Sequence, residues 1–286
     1  MLQVSFVTVF LVFKSLFSSC QCHKTNEEHS RCRSYYKIKK TGHLPEYVTE
    51  SSGIEYSEDS TFFYVHSDGG GETKLYQISL KGEVFKHIEI RGAANKDWED
   101  ITTDGKGNYF IGDFGNNSNV RKDLKIYKFN IHNNLTEAIS FTYPDQKDFP
   151  PQESGMNFDC EAMVWEADSL YFFSKNRGGG PVKIYSLPDK PGSYIAGCVG
   201  ELTLKGMVTA AAINHNRGKL ALLTYGRVYF YDIVRKENKI SFQLSSCQRF
   251  RRGLQTEAIV FLSEEDILIT NEAGRIYKGT KKRGKF

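Results

Sequence analysis

The stretch Asp97–Phe129, DWEDITTDGKGNYFIGDFGNNSNVRKDLKIYKF, reads as one structural unit. An acidic residue opens a short strand (WEDIT), a DGKGN turn reverses the chain, and an aromatic strand (NYFIGD) follows. A Gly/Asn loop (FGNNSN) then leads into KIYKF, a strand of basic, aliphatic, Tyr and apolar character. Short alternating strands separated by Gly/Asn turns describe an antiparallel meander. The KIYKF strand recurs as KLYQI at Lys74–Ile78, KIYSL at Lys183–Leu187, RVYFY at Arg227–Tyr231 and RIYKG at Arg275–Gly279. Its tyrosine (Tyr76, Tyr127, Tyr185, Tyr229, Tyr277) thus returns roughly every 45–60 residues, a period of propeller blades.

Working outward, each tyrosine strand sits in a similar four-strand neighbourhood. The blades open at Ser51-Ser52-Gly53-Ile54, at the quoted stretch, at Asp159-Cys160-Glu161-Ala162-Met163, at Val208–Ile213 and at Thr256-Glu257-Ala258-Ile259. The third closes near Gly200–Leu204, and Asp145–Asn157 reads as a polar connection. The last blade has three strands where the others have four, while Tyr35–Lys40 (YYKIKK) reads as a strand without a neighbour. Pairing Tyr35–Lys40 beside Arg275–Gly279 would join the ends and remove two open sheet edges. The expectation is an all-β, five-bladed β-propeller closed by an N-terminal strand. Its domains are a signal peptide over residues 1–20, a loose N-terminus over 21–34 and one propeller domain over 35–286.

Composition agrees. The 20 Phe and 16 Tyr among 286 residues suit strands better than helices. Lys and Arg (38) nearly balance Asp and Glu (34), so charge implies no nucleic-acid partner. Leu2–Phe13 is apolar, too short to span a bilayer comfortably, and is followed by Ser18-Ser19-Cys20. That pattern predicts a secretory signal peptide, a secreted extracellular chain and no transmembrane segment. A lipid anchor through Cys20 in a bacterial envelope is the alternative, although LFSSC matches a lipobox poorly. Six cysteines in an exported chain predict disulfides of open connectivity. Asn116-Asn117-Ser118 and Asn134-Leu135-Thr136 are sequons, making Asn116 and Asn134 glycosylation candidates in a eukaryotic route. The expected form is a monomer with an extracellular ligand or protein partner.

Aligning the inner strands puts Ser52, Glu99, Glu161, Ala211 and Glu257 at one level near the axis. Carboxylates so close repel unless a cation or protons intervene. Oxygen donors without His or Cys suit a hard cation, Ca2+ before Mg2+. The plainer alternative is that each Glu caps its own strand. The loops HSDGGG, GDFGNN, SKNRGGG, TYGR and TNEAGR share that mouth. Asp68, Asn116, Asn176, Asn271 and Glu272 are ligand-binding candidates there, with Arg121, Lys175 and Arg177 as anion-binding candidates. Gly, Asn and Asp are also what tight turns require. No GxSxG, HExxH or P-loop occurs, and Asp113-Phe114-Gly115 lacks the companions of a kinase signature. Asp113 and His66 are the candidates for orienting a water.

The quoted stretch, together with ESSGI, FDCEAM and QTEAI, resembles secreted propeller proteins of unassigned activity, many of them bacterial envelope proteins. The likeness covers nearly the whole mature chain. A more distant similarity is to the calcium-activated nucleotidases (soluble apyrases), five-bladed propellers with a central Ca2+. That resemblance implies a ligand order of Ser52, Glu99, Glu161, a fourth hydroxyl position and Glu257. Ala211 departs from it, with Thr209 close by, and the nucleotide-binding segments are not recognisable here. It therefore implies the metal more than the phosphohydrolase reaction. Three readings follow: a calcium-binding module for a ligand or partner, a Ca2+-dependent hydrolase of phosphorylated or other anionic substrates, and an extracellular matrix structural protein. The sequence favours the first.

Overall fold

The computed structural model describes residues 32, 35–48, 50–237, 239–250 and 255–282. The expected signal peptide, including Cys20, lies outside the described residues, as does most of the expected loose N-terminus. Among the described residues no helix is long and apolar enough to cross a membrane.

Five antiparallel meanders stand in a ring. Blade 1 comprises Ser51–Tyr56, Phe63–Ser67, Lys74–Ile78 and Val84–Glu89, and blade 2 comprises Trp98–Thr103, Asn108–Asp113, Lys125–Asn130 and Leu135–Thr142. Blade 3 comprises Cys160–Glu166, Ser169–Ser174, Val182–Pro188 and Gly197–Leu202. Blade 4 comprises Val208–Ile213, Lys219–Thr224, Arg227–Lys236 and Lys239–Arg249. Blade 5 takes three strands from the C-terminal part, Thr256–Phe261, Ile267–Asn271 and Arg275–Lys281, and its fourth from Tyr36–His43. That strand runs antiparallel to Arg275–Lys281, from Tyr36 opposite Lys281 to His43 opposite Arg275. The expected ring closure is therefore present.

Tyr36 anchors the closure. Its ring stacks on Phe230 at 5.1 Å, its hydroxyl donates to the Glu265 carbonyl at 2.8 Å, and Gln248 Oε1 accepts its amide at 2.9 Å. Just before it, Cys32 is disulfide-bonded to Cys247 on the outer strand of blade 4. Cys160 is a buried free thiol.

One element departs from the expected repeat. Between the third and fourth strands of blade 3, Gly192–Ile195 crosses to blade 2 and pairs in parallel with Ile139–Thr142. Blade 2 thereby becomes five-stranded, and the closing strand of blade 3 begins at Gly197, earlier than the expected Gly200.

Strand alternation sends side chains to both faces of every blade, so the core is divided into five layers, one between each adjacent pair. Tyr64, Trp98 and Tyr109 lie between blades 1 and 2, and Phe114, Phe172 and Tyr185 lie between blades 2 and 3. Tyr36, Phe230 and Phe261 fill the layer between blades 4 and 5. The recurring tyrosines hold loops as well. Tyr127 accepts the Ala94 amide at 3.0 Å, Tyr229 donates to the Lys205 carbonyl at 3.0 Å, and Tyr185 donates to Asp145 at 2.9 Å.

Candidate metal centre at one mouth of the channel

Every inner strand carries a β-bulge at the same level. Pairing with the second strand skips between Ser51 and Gly53, Trp98 and Ile101, Cys160 and Ala162, Val208 and Ala210, and Thr256 and Ala258. A bulge inserts one residue and re-aims its side chain. The residues so placed are Ser52, Glu99, Glu161, Thr209 and Glu257. Ser52, Glu99, Glu161 and Glu257 are the residues the strand alignment set at one level, and in blade 4 the bulge presents Thr209 where the alignment set Ala211. The two hydroxyl residues behave alike. Ser52 Oγ donates to the Trp98 carbonyl at 2.8 Å and Thr209 Oγ1 to the Thr256 carbonyl at 2.7 Å, each bonding the next ring residue's predecessor. They tie blade 1 to 2 and blade 4 to 5. Ala211 contributes only its amide, which donates to Asp100 Oδ2 at 3.3 Å.

The residue after each bulge is Gly53, Ala162, Ala210 or Ala258 in four blades and Asp100 in the other. The small residues leave room for the Asp100 side chain at the axis. Its carboxylate accepts the amides of Met163 at 2.8 Å and Ala211, with Ile101 at 2.9 Å on the other oxygen. Asp100 thus joins the inner strands of blades 2, 3 and 4. At the far mouth, where the inner strands end, Glu55, Tyr56, Tyr109, Trp165, His215 and Arg217 line a cavity of about 180 Å³.

At the near mouth carboxylates gather. The ligating oxygens of Glu99, Asp159 and Glu161 lie within 4.8 Å of one another, and so do those of Asp68, Asp97 and Glu99. Like-charged pairs at this spacing cost about 3–4 kcal/mol each at an effective dielectric of about 20. Glu99 is only 6% exposed; among the described residues its carboxylate accepts no hydrogen bond, and its oxygens keep slight contact with the open mouth. Burial, then Glu161, Asp68, Asp159 and Asp97, push its pKa well above the usual carboxylate range. Burial and Asp68 raise Asp97 to about 6.

Two cations, Lys175 and Arg177, pair with this acid, and a third, Arg121, braces the neighbouring loop. Lys175 Nζ donates to Glu161 Oε1 and to the Tyr225 hydroxyl at 3.1 Å, and Tyr225 in turn donates to Glu257 Oε1 at 3.0 Å. Burial opposes the Lys175 charge, but Glu161 outweighs it and raises its pKa. Burial still holds Glu161 up at about 8 against the pull of Lys175, and burial with Glu161 holds Glu257 up at about 9. Arg177 Nε donates to Asp159 Oδ2, and its NH2 lies 3.4 Å from Glu161 Oε1. Arg121 closes the Asp113–Asn119 loop, reaching the Gly115 carbonyl at 2.8 Å and Asp113 Oδ1 at 3.0 Å. Lys175 therefore occupies the Glu161–Glu257 side of the ring, and the acid lacking a counter-ion lies off-axis toward Asp68, Asp97 and Glu99.

The other sequence candidates serve the frame. Asn116 is buried; its amide donates to Asp159 Oδ1 at 2.7 Å and its side chain to the Phe158 carbonyl at 3.1 Å. With its side chain so held, Asn134, exposed on a hairpin turn, is the accessible sequon. Asn271 Oδ1 accepts the Arg275 amide at 2.8 Å, and Asn176 Nδ2 donates to the Gly180 carbonyl at 2.8 Å. Glu272 is half-buried beside Glu257. Asp113 Oδ1 accepts the Asp97 amide at 3.0 Å, while its buried Oδ2 has no partner. His66 is fully buried against Trp98, with Nδ1 3.4 Å from Ser52 Oγ, and burial lowers its pKa to about 4. Neither Asp113 nor His66 is open to solvent.

Asp97 and Asp159 were not singled out from the sequence. The signal was a repeated D-x-E, DWE at 97–99 and DCE at 159–161, which puts a second carboxylate two residues ahead of two ring glutamates.

No curated protein matches the chain. Among solved structures it is similar to the β-propeller domain of Myceliophteria thermophila Cps50 (Swd1), with a TM-score of 0.46 and 9% identity over 86% of this chain and 100% of that one. A streptogramin B lyase gives a TM-score of 0.44 and 12% identity over 87% and 100%. Hydrazine synthase of Kuenenia stuttgartiensis gives 0.42 and 10% over 80% and 57%. Residues 28–211, most of the chain and three of its blades, match the model of one family, and the chain belongs to that family, SdiA-regulated.

Proposed function

We propose that this propeller is an exported module that binds a hard divalent cation, calcium first, at the Glu99 mouth and presents it to an extracellular ligand or protein. The observation that carries the reading is Glu99, a buried carboxylate with no donor, set among four others. An ionised group so placed costs several kcal/mol unless paired. All the donors are carboxylate oxygens, which suits Ca2+, Mg2+ or Mn2+ and not a thiol-seeking metal. Cys160 does not compete, because its Sγ is directed at the Phe173 carbonyl, 3.3 Å away. Export is supported by the apolar leader and the Cys32–Cys247 disulfide, a bond that persists in oxidising compartments.

The hydrolase reading has less support. Lys175 and Arg177, which would hold an anionic substrate, are bonded to Glu161 and Asp159, and His66 is sealed in the core.

The test is a thermal melt of the chain with EDTA and with calcium, for the wild type and for Glu99→Gln combined with Glu161→Gln. At calcium near 100 times Kd, linkage stabilises by about 2.7 kcal/mol, several degrees in a chain of this size. The double variant should lose that shift. A wild type indifferent to calcium, magnesium and manganese would overturn the reading.

A further inference from the structure

Glu99 belongs to two carboxylate groups at once, Asp159 and Glu161 on one side and Asp68 and Asp97 on the other. We propose that the mouth holds two divalent cations, an inner one at Glu99–Asp159–Glu161 and an outer one at Asp68–Asp97–Glu99, bridged by the Glu99 carboxylate. This rests on the cation-binding reading above and adds a second site to it.

Charge is the first argument. Lys175 and Arg177 are bonded to Glu161 and Asp159, both in the inner group. No side chain among the described residues forms an ion pair with Asp68, Asp97 or Glu99. Ionised, as metal ligands are, the five carboxylates less two cations leave three negative charges, more than one divalent ion cancels.

The shared carboxylate is the second. Glu99 is more than nine-tenths buried, lacks a protein donor and lies within reach of both groups. A carboxylate has two oxygens, so a glutamate within reach of both groups can bridge two hard ions at the short separation of two-metal sites.

Space is the third. A Cβ on Gly115 would lie 2.1 Å from Glu99 Oε1 and 2.5 Å from Asp97 Oδ2, and a Cβ on Gly69 would lie 2.5 Å from Asp97 Oδ1. Two glycines thus keep the gap between Glu99 and Asp97 clear. Neither has the left-handed φ that would account for glycine by backbone need. Because Asp68 and Asp97 are half-buried, the outer ion is the exchangeable one. Calcium takes six to eight oxygens, so its remaining positions face the open mouth, where water or a partner's oxygen completes the shell.

The experiment titrates calcium into the EDTA-treated full chain by calorimetry and counts bound ion by equilibrium dialysis. The wild type should bind two equivalents, and Asp97→Asn one. Asp68→Asn, which removes a different carboxylate of the outer group, should also bind one, which guards against a folding defect in the first. Manganese in the wild type should give an exchange-coupled EPR spectrum that reverts to that of isolated ions in Asp97→Asn. One equivalent in the wild type, unchanged by Asp97→Asn, overturns the outer site while the single-cation reading stands. No bound ion in the wild type overturns both. Two equivalents retained by both variants place the second ion elsewhere and also overturn the proposal.

Discussion

Asp100 shows what a single side chain does at the axis of a propeller. The inner strands each expose one edge to the channel, and an unpaired amide there costs about 1–3 kcal/mol if water is excluded. Asp100 accepts three such amides across three blades. Asp100→Asn would turn an NH2 toward one of them, and an expected loss of about 1–3 kcal/mol should appear in urea unfolding. A loss below about 0.5 kcal/mol would show that these bonds carry little. The titratable groups make a second residue-scale prediction. Glu161, at about 8, and Glu257, at about 9, hold protons in the folded state that the unfolded chain releases near pH 4.5. Their contribution is therefore present at low pH and lost as pH rises through 8 and 9. His66, at about 4, acts in the opposite sense, its contribution being full above pH 6.5 and lost as pH falls toward 4. Between pH 6.5 and 9 the carboxylates act with little opposition. The cation-free protein should lose melting temperature across that window, and calcium should flatten the slope by competing with the protons. A flat profile in EDTA would contradict the assigned burial costs.

At the scale of the element, the bulge on each inner strand is what makes a site. A regular strand would alternate its side chains between blade faces, and the inserted residue instead aims Glu99 and Glu161 at the mouth. The loop after the second strand of blade 2 completes the arrangement. Phe114 anchors it in the core between blades 2 and 3, Arg121 closes it, and Gly115 leaves the gap beside Glu99. Gly115→Ala needs no change of backbone region, yet its methyl would press on both Glu99 and Asp97. That variant should fold and lose most of the calcium-dependent rise in melting temperature. A full rise in a folded Gly115→Ala protein would move the site away from this loop.

For the whole molecule, closure of the ring joins Tyr36–His43 to the C-terminal strands. Blade 5 is completed by a strand that lies over 230 residues from its partner, so the end-to-end pairing is a long-range contact. Tyr36 fills the layer between blades 4 and 5 and bonds two blades by its amide and hydroxyl. Tyr36→Ala should cost about 3–5 kcal/mol, as aromatic truncations in a core do, and expose the edge of Arg275–Lys281 to association. Denaturant unfolding with light scattering reads both effects. Unchanged stability would mean that the closing strand is held by the Cys32 clip and not by its packing.

The sequence by itself determined the blade count, the strand order and the closing partner of the last blade. Those features rest on local alternation and turn chemistry, repeated five times, and a repeat of local signals survives without any knowledge of contacts. Four ring positions, Ser52, Glu99, Glu161 and Glu257, were legible for the same reason. The fifth was not: Ala211 and Thr209 are two residues apart, and only the register of Val208 opposite Thr224 and Ala210 opposite Leu223 decides between them. Tertiary structure alone also decided which charges meet. Lys175 and Glu161 are 14 residues apart, and Arg177 and Asp159 are 18 apart. Ionic partners are chosen by proximity in the ring, with no periodicity along the chain to announce them. The lateral strand Gly192–Ile195 was hidden likewise, because its pairing crosses to a neighbouring blade that a blade-by-blade reading treats as separate.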